Sequence, residues 1–385
     1  VSQLVATSQP SPKPPKRGNF LFIPVILAAT ITTPVALHGQ GASPLPPSSK
    51  TGKGLYESAC AACHGANGKG MAQTTVGFET PLPDFTDCSF SSREPDADWE
   101  TVILEGGPVR AFSETMPAFG DALTLAQVQG VVDYLRTFCR NSAWPRGDLN
   151  LPRPLFIEKA FPEDEAVWTT AVAIEGPGAV TNTFVYEKRI GARNQFEVSV
   201  PWTISDSGIG WAGGLGDIAL GFKRALFHDV ELGTIFSAGG EIVFPTGSQS
   251  RGFGKGVTVF EPFVAFGKIL PSESFAHFQG GFEVPAEDLE QEIFWRFALG
   301  RTFAQDDFGR NWTPMLEVLG ARELSSSARN NWDVVPQVQV TLSKRQHIML
   351  NIGSRIPISN TAQRGAQIVF YLLWDWFDGG LWDGW

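Results

Sequence analysis

From Glu165 to its end the chain keeps a two-residue period, and no other feature limits its possible folds so much. In Gln195–Ile204 one face carries Phe196, Val198, Val200, Trp202 and Ile204, while the other is polar apart from Pro201. Thr183–Ile190, Asp217–Lys223, Gln337–Leu342 and His347–Ile352 repeat the device. Successive side chains of a strand point to opposite faces, so these segments read as strands with one apolar and one more polar face. About twelve of them follow one another.

The polar phase carries Glu187, Arg189, Glu197, Lys223, Glu241, Arg296 and Arg355. A hydrated lumen accepts such residues more readily than the dry core of a sandwich. Connections also alternate in length, as in an outer-membrane barrel with short periplasmic turns and longer outer loops. Those near Gly191–Asn194, Phe227–Val230, Pro271–Ser274 and Lys344–Gln346 are short. Ser205–Gly216, Thr246–Gly256, Pro285–Gln291 and Leu324–Asn331 are longer, and Ala304–Asn311 is long where a short one is expected. Trp202, Trp312, Trp332, Trp374 and Trp376 fall near strand ends, the place of interfacial aromatic girdles. A membrane barrel over 165–385 is the expectation, and a soluble β-sandwich is its alternative. The final Trp385, after Tyr371–Trp374, resembles the aromatic-ended last strand of bacterial outer-membrane proteins. The barrel half is also weakly similar to proteobacterial channel barrels for aromatic compounds.

The first third is unlike this. It holds all four cysteines, Cys60, Cys63, Cys88 and Cys139, whereas nine of the twelve tryptophans lie at or beyond Trp202. Lys13, Lys16 and Arg17 precede an apolar run from Phe20 to Leu37 and a small-residue stretch, Gly39–Ala42, which reads as an export signal over 1–42. A retained anchoring helix is the alternative, weakened by Pro24 and Pro34. The Pro/Ser-rich 43–50 reads as a linker, and so does 143–164, whose prolines favour a stiff, extended joint.

Cys60-Ala-Ala-Cys63-His64 is the C-x-x-C-H pattern of covalent haem attachment. Two thiols one helical turn apart each add to one vinyl group, and the next side chain, His64, falls beneath the iron. A zinc site would need two further clustered ligands, and Cys88 and Cys139 stand alone. Gly54–Ala59 can form a helix with Tyr56 and Ala59 inward, and Gly65, Gly68 and Gly70 allow tight turns after it. The second axial ligand is a choice among few residues. Met71 is too near His64 to reach the other haem face, whereas Met116 sits in a loop stiffened by Pro117.

Residues 50–142 therefore resemble a class I monohaem cytochrome c. The resemblance rests on Gly54-x-Tyr56, Cys60-x-x-Cys63-His64-Gly65, Met116-Pro117 and a last amphipathic helix, Leu125–Phe138, with Tyr134-Leu135. It implies an all-α domain over 51–142 whose first and last helices cross. It also implies one haem c, with His64 and Met116 on an iron that cycles between ferrous and ferric states. An iron so saturated points to an electron carrier rather than a catalyst. Cys88 and Cys139 depart from the minimal pattern, and in an exported domain they are either a disulfide or two separate thiols.

The expected whole is a multidomain α plus β chain: a cytochrome domain, then an antiparallel barrel of about twelve strands in the outer membrane, with the haem domain on the periplasmic side. Its expected partners are outer-membrane lipid and a periplasmic redox protein or soluble electron carrier. A net charge of −10 gives no general attraction to nucleic acid. The rival functions are a channel sensed or gated by its haem domain, and a soluble electron-donor subunit carrying a sandwich.

Overall fold

The computed structural model describes residues 51–375 except 79–80, 177, 207, 209, 288 and 306–309. The export signal read over 1–42, the linker 43–50, Trp376 and Trp385 lie outside the described residues.

The N-terminal region is helical, with α1 (Gly52–Leu55), α2 (Ala61–His64), α3 (Gln73–Val76), α4 (Cys88–Ser91), α5 (Asp96–Glu105) and α6 (Leu125–Arg136). A π-helical turn, Tyr56–Cys60, joins α1 to α2 in one helical run. Helix α6 starts on a capping box, Thr124 with Gln127, and buries Val128, Val131, Val132 and Leu135. It crosses α1 where both helices carry glycine: a Cβ on Gly52 would sit 1.7 Å from the Gly130 carbonyl oxygen. Leu55, Tyr56, Phe85, Trp99 and Ile103 complete the core between the helices.

The rest is one antiparallel sheet of fourteen strand segments. They are β1 (Glu165–Ala173), β2 (Ala179–Ile190), β3 (Asn194–Asp206), β4 (Trp211–Leu215), β5 (Ile218–Asp229), β6 (Thr234–Phe244) and β7 (Val259–Leu270). There follow β8 (Ser274–Pro285), β9 (Glu292–Arg301), β10 (Phe303–Gln305), β11 (Arg310–Glu323), β12 (Asn331–Thr341), β13 (Ile348–Pro357) and β14 (Gln367–Asp375). Segments β4 and β5 both pair with β3, and β9 and β10 both pair with β11, so each couple is one interrupted strand. Twelve physical strands remain, and β14 pairs with β1 to close the barrel.

Two connections differ from the sequence reading. Ser205–Gly216 is mostly strand, because β3 runs to Asp206 and β4 starts at Trp211. Ala304–Asn311 is short after all, because β10 continues past a break at Thr302 and β11 begins at Arg310, leaving only 306–309 between them.

The barrel is apolar outside and polar inside. Trp168, Phe184, Phe222, Phe260, Leu299 and Ile352 are exposed on its outer surface, with Trp202 and Trp312 among them. Glu187, Gln195, Lys223, Gln279, Glu317 and Asn351 are buried in its interior. A soluble sandwich has the reverse arrangement.

The largest departure is at 143–164. Instead of a joint beside the barrel, 149–164 enters the lumen and fills the half bounded by the short turns. Leu149, Ala160 and Phe161 pack on Ala225, Ile235, Phe263 and Ala265 of the inner wall. Glu317 accepts hydrogen bonds from the backbone N–H groups of Leu155, Phe156 and Ile157 at 3.0–3.2 Å. Tyr371 and Arg296 donate to the Arg153 and Phe156 carbonyls at 2.6 and 2.7 Å. Prolines 152 and 154 keep the segment extended, and extended backbone without a strand partner finds its acceptors and donors in lumen side chains.

Candidate functional site

The attachment motif runs from Cys60, the last residue of the π-helical turn, through α2, and its two thiols are free although the chain closes a Cys88–Cys139 disulfide elsewhere in the same region. The chain after the motif turns back on itself. Gly70 N–H donates to the His64 carbonyl at 2.9 Å and Met71 N–H to the Cys63 carbonyl at 2.8 Å. Gly65, Gly68 and Gly70 all have φ near +73°, and a Cβ on Gly68 would lie 2.7 Å from the Phe138 ring. The Tyr56 hydroxyl donates to the Gly65 carbonyl at 2.6 Å, and its ring packs between Tyr134 and Phe138. Tyr56 thus ties the backbone beside His64 to the last helix, a role the sequence signalled only as an inward tyrosine.

His64 stands against Phe85, with ring centroids 5.3 Å apart, and its Nδ1 is buried without a partner. Burial lowers its pKa, which favours the neutral imidazole that a metal requires. Burial, with Cys63 beside it, raises the Cys60 thiol to about 11. Met116 is brought to the same core that Cys60 and Phe85 border. Its loop is sewn to the end of α5: Gly107 N–H donates to the Met116 carbonyl at 3.0 Å, and Phe119 N–H to the Ile103 carbonyl at 2.9 Å. Met71, in contrast, is exposed within the turn of the motif.

Residues 47–135 match the family described as cytochrome c oxidase, cbb3-type, subunit III. This segment is a c-type cytochrome domain. The side chains fit the haem c that such a domain implies: paired free thiols one helical turn apart, a half-buried histidine whose buried Nδ1 is orphaned, and a methionine on the same core.

The cytochrome domain does not stand free of the barrel. Arg93 pairs with Asp164, and Glu94 Oε1 lies 3.0 Å from His347 Nε2 in the turn between β12 and β13. From the same turn Arg345 covers the Phe112 ring at 4.7 Å and donates to the Ala111 carbonyl at 3.4 Å, so the barrel rim holds the loop that carries Met116. Arg193, in the turn after β2, donates to the Ala143 carbonyl at 3.0 Å.

Among solved structures the chain is similar to an outer membrane channel from Pseudomonas putida F1, with 13% identity over 58% of this chain and 99% of that one at a TM-score of 0.40. It is also similar to the NanC porin, with 9% identity over 54% and 97% at 0.39, and to the KdgM porin, with 7% identity over 55% and 99% at 0.36. No curated protein matches the chain. No helix among the described residues is long and apolar enough to cross a membrane.

Proposed function

We propose that this chain is an outer-membrane-anchored electron carrier, with one haem c held by Cys60 and Cys63 and ligated by His64 and Met116. The observation that carries the reading is the docking of the cytochrome domain on the short-turn rim of a barrel with an apolar exterior. Short turns lie on the periplasmic side of bacterial barrels. The domain then stays in the periplasm, where it exchanges electrons with a soluble carrier or another redox protein.

The bound haem supplies a one-electron couple whose potential a thioether ligand raises. The protein's own parts hold the geometry. Tyr56 fixes the His64–Gly65 backbone, the α5 end fixes the Met116 loop, and Arg345 presses that loop on the rim. One such centre does not span an apolar band about 25 Å tall, so exchange is confined to the periplasmic face. The segment 149–164, seated in the short-turn half of the lumen, leaves the barrel as an anchor rather than an open pore.

Separation of inner and outer membranes followed by haem staining tests this. The stained band is expected in the outer fraction, released only by detergent, and lost in Cys60→Ala/Cys63→Ala. Met116→Ala is expected to keep the stain and lose the near-infrared thioether-to-iron band. A membrane-impermeant thiol reagent on intact cells is expected to label Ser250→Cys and spare Ser272→Cys. The reverse labelling, or a stained band in the soluble fraction, overturns the reading.

A further inference from the structure

The outer surface of the barrel is apolar along β9 and β11 until it nears the long loops, where its character changes. Leu316, Leu299 and Phe297 form an exposed apolar stripe on these two strands. Toward the outer mouth the stripe ends in aromatic rings, because Gly320 of β11 faces Trp295 of β9 on one side and Trp332 of β12 on the other. The two indoles meet edge to face, with ring centroids 5.3 Å apart. A Cβ on Gly320 would lie 2.2 Å from Trp295 Nε1, so glycine is what lets the rings close across the intervening strand. Tryptophans at the end of a lipid-facing stripe mark the level of a membrane–water interface.

Arg322 is the next outward residue of β11, about 7 Å further along the strand than Gly320. It is exposed, and no carboxylate pairs with it among the described residues. Its neighbour Glu323 takes the opposite, inward phase. Outward positions near the outer ends of other strands carry Trp202, Phe244, Phe282 and Ile356, all apolar, so the cation distinguishes this part of the wall.

Arg322 also lines an open groove of about 590 Å3. Ile293, Trp295 and Leu324 give the groove its apolar part, and Ser325 and Asn330, from the loop after β11, add a hydroxyl and an amide. Neither of those side chains bonds another described residue. A guanidinium beside hydrocarbon is costly, whereas beside phosphate its planar fork makes two parallel charge-assisted bonds. Apolar surface, free hydrogen-bonding groups and an uncompensated cation thus adjoin at one depth. A lipid whose headgroup joins sugar to phosphate is complementary to all three.

We propose that this groove binds a phosphorylated glycolipid of the outer leaflet, with phosphate on Arg322, sugar hydroxyls on Ser325 and Asn330, and acyl chains along the Phe297–Leu299 stripe. Such a lipid fixes the height of the barrel in the membrane and holds the loop between β11 and β12 to the leaflet. The inference rests on the outer-membrane reading of the barrel and is independent of the haem.

The test uses the full haem-loaded chain in a mild detergent, titrated with bis-phosphorylated lipid A and read by native mass spectrometry as the fraction of chain carrying the lipid. Saturable binding is expected, weakened about ten-fold when the lipid is dephosphorylated and about as much in Arg322→Gln, the loss of one charge-assisted pair. Arg322→Lys is expected to recover part of the affinity, since lysine keeps the charge without the fork. Arg301→Gln removes an exposed arginine at the other end of the wall and is expected to bind as the parent does. Inorganic phosphate is expected not to compete, and phosphatidylglycerol to compete weakly. Equal binding by the parent and Arg322→Gln, or phosphatidylglycerol binding as tightly as lipid A, overturns the glycolipid site while the outer-membrane reading stands. A chain that stays in solution without detergent overturns that reading instead, before any lipid is added.

Discussion

The helical region and the barrel bury opposite surfaces. In the first, Tyr56, Val128, Val131 and Val132 are at most 1% exposed and lie at the centre, as water requires. In the second, Trp168 and Phe222 are more than half exposed on the outside, while Glu187 and Asn351 are fully buried within. One chain is thus written for two solvents, and the change of period marks where one gives way to the other. The inserted segment between them follows neither rule: its apolar Leu149 and Phe161 and its charged Glu158 and Lys159 are all buried, with Arg153 half-buried among them.

Three substitutions sharpen this contrast. Val131→Asp, which places an unpaired charge in the helical core, is expected to cost more than about 4 kcal/mol and to prevent haem-domain folding, read as loss of the haem band with the barrel still inserted. Arg153→Ala removes the partner of the buried Glu165 and Glu187 and is expected to cost about 3–5 kcal/mol. Its readout is urea unfolding of the barrel by electrophoretic mobility, together with bilayer conductance, which is expected to rise as the segment loosens. Phe222→Arg, on the outer face, is expected to cost about 2 kcal/mol in lipid, and its destabilisation should shrink in a short-chain detergent. Equal tolerance of Val131→Asp and Phe222→Arg would break the comparison.

Much of this was legible beforehand, because side-chain alternation is a local property. The inward phase of Glu187, Glu197, Lys223, Glu241 and Arg296 could be read from Phe196, Trp202 and their neighbours alone. The interruptions at Gly216–Asp217 and Thr302 could not, since a strand that breaks and resumes against the same partner looks like two segments. The inserted segment was hidden for a different reason. Its prolines suppress periodicity and imitate a linker, and the partners that identify it, Gln279, Glu317 and Tyr371, lie more than a hundred residues away. The available signal was the density of charge in Arg153–Glu165, which a solvated linker does not need. In the cytochrome domain the motif pointed to Cys60, Cys63 and His64 as candidates, but not to the Tyr56 hydroxyl bond or the grip of Arg345 on the Met116 loop, which belong to packing.

The segment 149–164 leaves the lumen by the rim through which it enters, since Ala143 is held at the turn after β2 and Glu165 pairs with Asp375 at the same end. It is therefore a loop pushed in from one side and not a thread drawn through. Closing the ring of strands around it never requires a folded domain to pass the bore. The haem-bearing portion can be completed in full before the wall assembles, and the stopper can be seated last, or withdrawn, without any strand letting go of its neighbour.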